Sequence, residues 1–224
     1  MLIRLLVGTI VISGVLPAVL IFSIAGRWDL WNVWAYVGIL TIMFCYHIVA
    51  LYRKNPDLLK EREKPPSHGR AWWTITISPA VMYILQPVAA GLDHRFHWLD
   101  IVPLGGVIAG LVIVVISLAL LIWAMFVNPF FSGAIRIQAD RGQRVIHKGP
   151  YALLRHPGHA GGTLAFVAGG LALNSLVSII PVIVIVLPIM IYRTMLEDQM
   201  LRDELAGYAE YVAKVRYRLI PGIW

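Results

Sequence analysis

Apolar residues in this chain come in long blocks rather than in alternation. Blocks near 3–25, 31–52, 71–91 and 101–127 are separated by short polar pieces. Each has about the ~20 residues that a helix needs to cross a bilayer. Two further apolar segments, near 160–173 and 176–192, are divided by the turn Asn174-Ser175. The first of these is short for a crossing, so it is either re-entrant or pairs with the last as a hairpin. The pattern predicts an all-α integral membrane protein of about six transmembrane or re-entrant helices. Pro17, Pro79, Pro87, Pro181 and Pro188 fall inside these segments, where membrane helices accept them as kinks. Beyond the last segment, Leu201, Leu205, Tyr208, Val212 and Val215 recur at helical spacing. They predict a C-terminal amphipathic interfacial helix over about 195–215. The chain divides into a four-helix membrane region, 1–127, and a region 128–224 that carries the closing helix pair, the tail and most of the polar chemistry.

Composition agrees with the blocks. Of 224 residues, 59% are hydrophobic and 14% charged, against about 25% charged in soluble domains, and the mean hydropathy is +0.75. The N-terminal block resembles a signal peptide ending at Ser23-Ile24-Ala25. It exceeds the usual core of ~7–15 residues, so a retained first span is expected. A net charge of +7 does not point to nucleic acid, because the cations lie in loops between apolar spans. Of 19 Lys and Arg, one precedes the first span, six lie in 53–70, five in 128–158 and five in 193–224; only Arg27 and Arg95 lie on the other side. The positive-inside rule then places both termini and both long loops in the cytoplasm, in the inner or plasma membrane. The single cysteine, Cys45, supports neither a disulfide nor a metal site.

Three polar pieces fall on that cytoplasmic side: "NPFFSGAIRIQADRGQRVIHKGPY" (128–151), "RHPGHAGG" (155–162) and the tail 192–224. Arg155 offers a planar fork for a carboxylate or phosphate. His156 can donate or accept a hydrogen bond. Pro157 stiffens the chain, and Gly158, Gly161 and Gly162 let backbone approach a ligand. An apolar segment starts here, so its first amides are free to meet an anion. Glu197 supplies a carboxylate for an amine, a ribose hydroxyl or a cationic centre. Asp198, turned about 100° away on a helix, is expected to face solvent or to cap. A small zwitterionic cofactor suits such a set. Some residues have plainer readings: Gly106 with Gly110, and Gly161, Ala165 and Gly169, as helix packing; Trp28, Trp31, Trp34, Trp72, Trp73 and Trp98 as interfacial anchors; His47 as a helix–helix hydrogen bond; Gln143 and His147 as ordinary loop residues.

"GPYALLRHPGHAGG" followed by "LEDQMLRDELAGYAEYVAKVRYRLIPGIW" resembles the isoprenylcysteine carboxyl methyltransferase family and its phospholipid methyltransferase relatives. The resemblance covers about 128–224. It implies an integral-membrane enzyme that uses S-adenosyl-L-methionine, with cofactor contacts at Gly149, Pro150, Tyr151, Arg155, His156, Pro157 and Gly161. It carries the family's paired acids onto Glu197 and Asp198, its tyrosines onto Tyr208 and Tyr211, and its late arginine onto Arg218. Two positions depart from the family pattern. His159 stands where a tyrosine is usual, and Gln143 where a histidine is usual, with His147 out of register.

The reading that follows is a membrane methyltransferase. Arg155 and Glu197 are its catalytic residues, the methyl acceptor is lipophilic and enters from the bilayer, and no metal is required. An isoprenylcysteine carboxylate, an ethanolamine phospholipid and a small thiol all fit as acceptor. The alternative is an NADPH-dependent sterol- or steroid-type membrane reductase, with Arg136, Arg141 and Arg144 on a 2′-phosphate. A third, non-enzymatic class is a transporter or scaffold, against which stand the absence of internal repeats and the scarcity of intramembrane charges.

Overall fold

A computed structural model describes residues 1–63, 72–133 and 135–224, and among them there are helices and turns but no strand. Helix α1 spans Leu2–Ala25, α2 Trp31–Lys54, α5 Leu104–Val127 and α7 Val177–Glu204; these four are long and apolar enough to cross a membrane. Between them, α3 is the short Pro56–Glu63, and α4 runs from Trp72–Ala80 through Val81–Leu85 into Gln86–Phe96. Helix α6 is Pro157–Ala172 and α8 is Tyr208–Lys214. Residues 64–71 of the basic loop and its end lie outside the described residues. The bundle presents apolar side chains outward, among them Ile3, Ile42, Ile116 and Val184, each more than 60% exposed. Such a surface suits hydrocarbon, and the protein is an integral membrane protein.

At three of the prolines the helix changes its hydrogen-bond register just ahead of the ring. Pro17, Pro87 and Pro188 each follow a π-helical turn by one residue: Val11–Val15, Val81–Leu85 and Val182–Val186. Proline lacks the N–H that the carbonyl four residues back would receive, and its ring collides with that carbonyl. The wider π turn shifts the bonding register and relieves both problems.

Helix α6 packs chiefly along α5, and glycines set the distance. A Cβ on Gly161 would stand 2.6 Å from the Ser117 carbonyl oxygen and 2.9 Å from the Leu121 nitrogen; one on Gly110 would stand 2.5 Å from the Ala172 nitrogen. These contacts bear out the packing reading for Gly161 and Gly110. Gly169 meets the Tyr36 ring on α2, whereas Gly106 meets only Val102 and Pro103 from its own lead-in.

Polar groups pin the end of the bundle that lies away from residues 128–156. Asp93, fully buried, accepts from Ser175 Oγ (2.6 Å) and the Leu99 amide (2.7 Å). His94 Nε2 donates to the Leu173 carbonyl at 2.8 Å, and Asn174 Oδ1 receives the Val102 amide at 2.8 Å. The Asn174-Ser175 turn is thus held against the end of α4. From there α7 runs back beside α6 to the opposite end. Helix α6, about 24 Å long at 1.5 Å per residue, therefore lies along the middle of α5, from Gly161 beside Ser117 to Ala172 beside Gly110. The turn from α7 to α8 comes earlier than the spacing predicts. The segment 195–215 is two helices, broken at Gly207, whose φ of +80° only glycine adopts freely. Tyr208, Tyr211 and Val215 pack on Val145, Leu201 and Leu205 as a small core of their own.

Gly161→Ala should destabilise the protein by about 1–3 kcal/mol, because the new methyl meets backbone that cannot swing aside. Gly162→Ala, whose Cβ would meet nothing nearer than Leu121 Cδ2 at 3.9 Å, should be tolerated. Thermal unfolding in detergent checks the pair; equal stability of the two variants would refute the packing role.

Candidate active site

The chain leaves α5 through a loop that folds back on itself. Gln138 is its staple: its Nε2 donates to the Phe130 carbonyl (2.7 Å), its amide donates to Gln143 Oε1 (2.6 Å), and its Oε1 receives Arg141 Nη1 (2.5 Å). Arg141 also reaches the Pro129 carbonyl at 3.0 Å, and Arg136 pairs with Asp140 at 2.9 Å. The loop ends in a 3-10 turn, Gly149–Ala152, entered at a Gly149 φ of +59°. Residues 155 and 156 then hydrogen-bond the tail: their amides donate to the carbonyls of Tyr217 and Arg218, both at 3.0 Å. Pro157 sits in the first turn of α6, where its missing N–H costs nothing.

These pieces line a cavity of about 770 Å³, counting its open mouth. Tyr151, Arg155, His156, His159, Glu197, Tyr208 and Tyr211 line it, and the loop adds Asn128, Phe130, Phe131, Gln138 and Gln143. Of the sequence-predicted set, six residues face the cavity: Tyr151, Arg155, His156, Glu197, Tyr208 and Tyr211. The others do not line it. Gly161 lies against α5. Gly149 turns the chain beside Trp123 and Val127. Pro150 and Pro157 are buried turn and helix-start residues.

Asp198 corrects the expectation of an exposed or capping acid. Its side chain is 1% exposed, and five groups converge on it. Arg218 Nε donates at 3.1 Å, Arg202 Nε lies at 3.3 Å, Arg155 Nε at 3.4 Å and His156 Nε2 at 3.5 Å; Tyr208 OH donates at 3.0 Å. Arg218 also covers the Trp224 ring at 5.0 Å. Both Asp198 and Arg218 hold the site together from behind. Glu197 faces the cavity, with Oε2 3.7 Å from His159 Nε2.

The tyrosine rings form cavity wall while their hydroxyls are engaged elsewhere. Tyr211 OH donates to the Tyr151 carbonyl at 2.7 Å, and Asn128 Nδ2 donates to Tyr151 OH at 3.2 Å. Burial pushes the pKa of all three tyrosines up, and at Tyr208 the Asp198 carboxylate adds to it. They stay neutral phenols. Arg155 is different. Its side chain is 3% exposed, yet Nε and Nη1 make no hydrogen bond. Burial lowers its pKa from the ordinary value, and Asp198 opposes that. A buried guanidinium with unpaired donors is costly unless a ligand completes it. His156, His159 and Glu197 bring ligand-type atoms within 4.8 Å of one another, close enough to share one cation.

Residue-type reasoning missed the loop wall. Phe130 and Phe131 fell within the polar piece 128–151 with no role of their own, and Gly158 was expected to let backbone approach a ligand. A Cβ on Gly158 would overlap the Phe131 ring, so that glycine makes room for the wall. Gln143 was expected to be an ordinary loop residue; it ties the loop and lines the cavity. His147 is exposed, as an ordinary loop residue would be.

A helical membrane bundle thus closes on a polar, arginine- and carboxylate-bearing cavity at one end. The chain superimposes on the eukaryotic intramembrane Ras methyltransferase, isoprenylcysteine carboxyl methyltransferase. The TM-score is 0.56 at 19% identity, over 86% of this chain and 68% of that one. At that identity the likeness speaks for the fold. The phospholipid methyltransferase family model matches residues 103–206, from the start of α5 to the end of α7. Both findings agree with the resemblance read from the chain's motifs. Together the two findings support a membrane methyltransferase. No curated protein matches the chain.

Asp198→Asn should cost about 3–5 kcal/mol, since it leaves buried cations without their counter-charge. Glu197→Gln should leave the melting temperature nearly unchanged, because that carboxylate borders open space. Thermal unfolding of both variants decides; equal stability would contradict the division of roles.

Proposed function

We propose that the protein is an S-adenosyl-L-methionine-dependent methyltransferase that modifies a lipophilic acceptor entering from the bilayer. The observation that supports this most is Arg155, buried on the cavity wall with Nε and Nη1 making no hydrogen bond and Nε only in ion-pair range of Asp198, at 3.4 Å. Its fork suits the carboxylate of the cofactor's amino-acid end. Glu197 would face the ammonium or another cationic centre. Tyr151, Tyr208, Tyr211, Phe130 and Phe131 offer aromatic faces to a flat base and a sulfonium. When bound, S-adenosyl-L-methionine supplies an electrophilic methyl group. Transfer to an acceptor is an in-line displacement, so the chain's contribution is to hold donor and acceptor in line and dry. The donor sulfonium carries its own activation, so this reading calls for no metal.

The outer apolar faces supply the hydrocarbon contacts that a lipid acceptor needs. The 17-to-2 division of Lys and Arg supports a cytoplasmic mouth. The reductase reading loses support at its phosphate site. Arg141 is consumed in stapling the loop and Arg136 pairs with Asp140.

Calorimetric titration of the purified protein with S-adenosylhomocysteine should show one site. Arg155→Ala should weaken it by about 10–100-fold, the worth of a charged hydrogen bond of ~1.5–3 kcal/mol. Inverted sealed vesicles should bind the ligand and right-side-out ones should not. Binding of NADPH alone would refute the reading; binding only to right-side-out vesicles would reverse the orientation.

A further inference from the structure

The hydrogen-bonding state of His159 follows from its neighbours. Thr194 has a single hydroxyl hydrogen. Its Oγ1 lies 2.7 Å from the Met190 carbonyl oxygen, one helical turn back. That carbonyl can only accept, so the Thr194 hydrogen points there. His159 Nδ1 lies 2.9 Å from the same Oγ1. The oxygen must therefore accept from it, and Nδ1 carries the proton. In the neutral ring Nε2 is then a bare lone pair. It borders the cavity, 3.7 Å from the Glu197 carboxylate. Thr194 is fully buried, and the His159 side chain is 14% exposed. Two proton acceptors, one neutral and one anionic, thus face the same space.

Resting on the methyltransferase reading, we propose that His159 is the catalytic base for an acceptor that arrives protonated, a lipid ammonium headgroup, with Thr194 as the positioning residue that fixes its tautomer. The ammonium gives one proton to His159 Nε2. The freed nitrogen pair forms the new N–C bond to the methyl carbon, and the carbon–sulfur bond of the sulfonium donor breaks with its electron pair on sulfur. The imidazolium then directs Nε2–H at Glu197, which balances its charge. A carboxylate acceptor has no proton to lose and would meet Glu197 as a like charge. The charged or ionisable groups facing His159 are Glu197 and Arg193 from α7 and His156 from the start of α6. Helix α5, packed along α6, carries no ionisable side chain.

The test uses the full chain in detergent. In ¹⁵N spectra, His159 should be the Nδ1–H tautomer in the wild type and a mixture in Thr194→Val; an Nε2–H tautomer in the wild type would overturn the proposal without any assay of turnover. With dioleoylphosphatidylethanolamine in mixed micelles as acceptor, His159→Asn keeps a donor for Thr194 but has no base. It should lose about 10²–10⁴-fold in turnover, the usual worth of a general base. S-adenosylhomocysteine affinity should stay unchanged. Retained turnover would overturn the proposal, as would methylation confined to N-acetyl-S-farnesylcysteine, a carboxylate. Loss of activity with a chelator and its return with Zn²⁺ would assign the cluster to a metal and overturn it too. Failure to bind S-adenosylhomocysteine would instead overturn the methyltransferase reading and leave the tautomer result standing.

Discussion

One buried carboxylate holds the site together. Asp198 receives or neighbours three arginines, a histidine and a tyrosine drawn from the start of α6, the end of α7, α8 and the tail. Burying one of these charges alone would be prohibitive. Around a shared carboxylate they can approach, and with them come the segments that carry them. The tail is bound twice, by Arg218 at Asp198 and by its carbonyls at the amides of residues 155 and 156. The side chain that suffers from this crowding is Arg155. It shares Asp198 at 3.4 Å with better-placed competitors and keeps its remaining donors for a ligand.

The opposite end of the bundle has a simpler device. Asp93 and His94 on α4 hold the turn between α6 and α7, and Asn32 Nδ2 donates to the Ala172 carbonyl at 3.2 Å. The α6–α7 hairpin is therefore fixed at both ends. Between them the glycine contacts of α6 with α5 leave little freedom to slide. His159 and Glu197, near the two open arms of that hairpin, are consequently set by rigid helices rather than by loops, which is what a site that aligns two reactants requires.

Much of the fold was legible because bilayer length and apolar periodicity are coarse signals. The spans near 3–25, 31–52 and 101–127 match α1, α2 and α5 to within three residues. Length alone does not place the short segment 160–173, since its partner is α5 and the hydrogen bonds that hold its far end join residues 72 or more positions apart. At the site, residue type found Arg155, Glu197 and the tyrosines. It misjudged Asp198, because a helical step of 100° tells where a side chain points but not what waits there. In this chain three arginines and the tail do. His159 gave no sign of its role in sequence, since its tautomer depends on Thr194 and the Met190 carbonyl, 35 and 31 residues away.

The central claim is that this cavity receives the methyl donor through Arg155. The most direct measurement is an experimental structure with S-adenosylhomocysteine bound. The account predicts the ligand's carboxylate on Arg155 Nε or Nη1, its amino group toward Glu197 and its base among the aromatic rings of the loop and α8. A ligand bound elsewhere, or one in the cavity that leaves both Arg155 nitrogens unpaired, would contradict it.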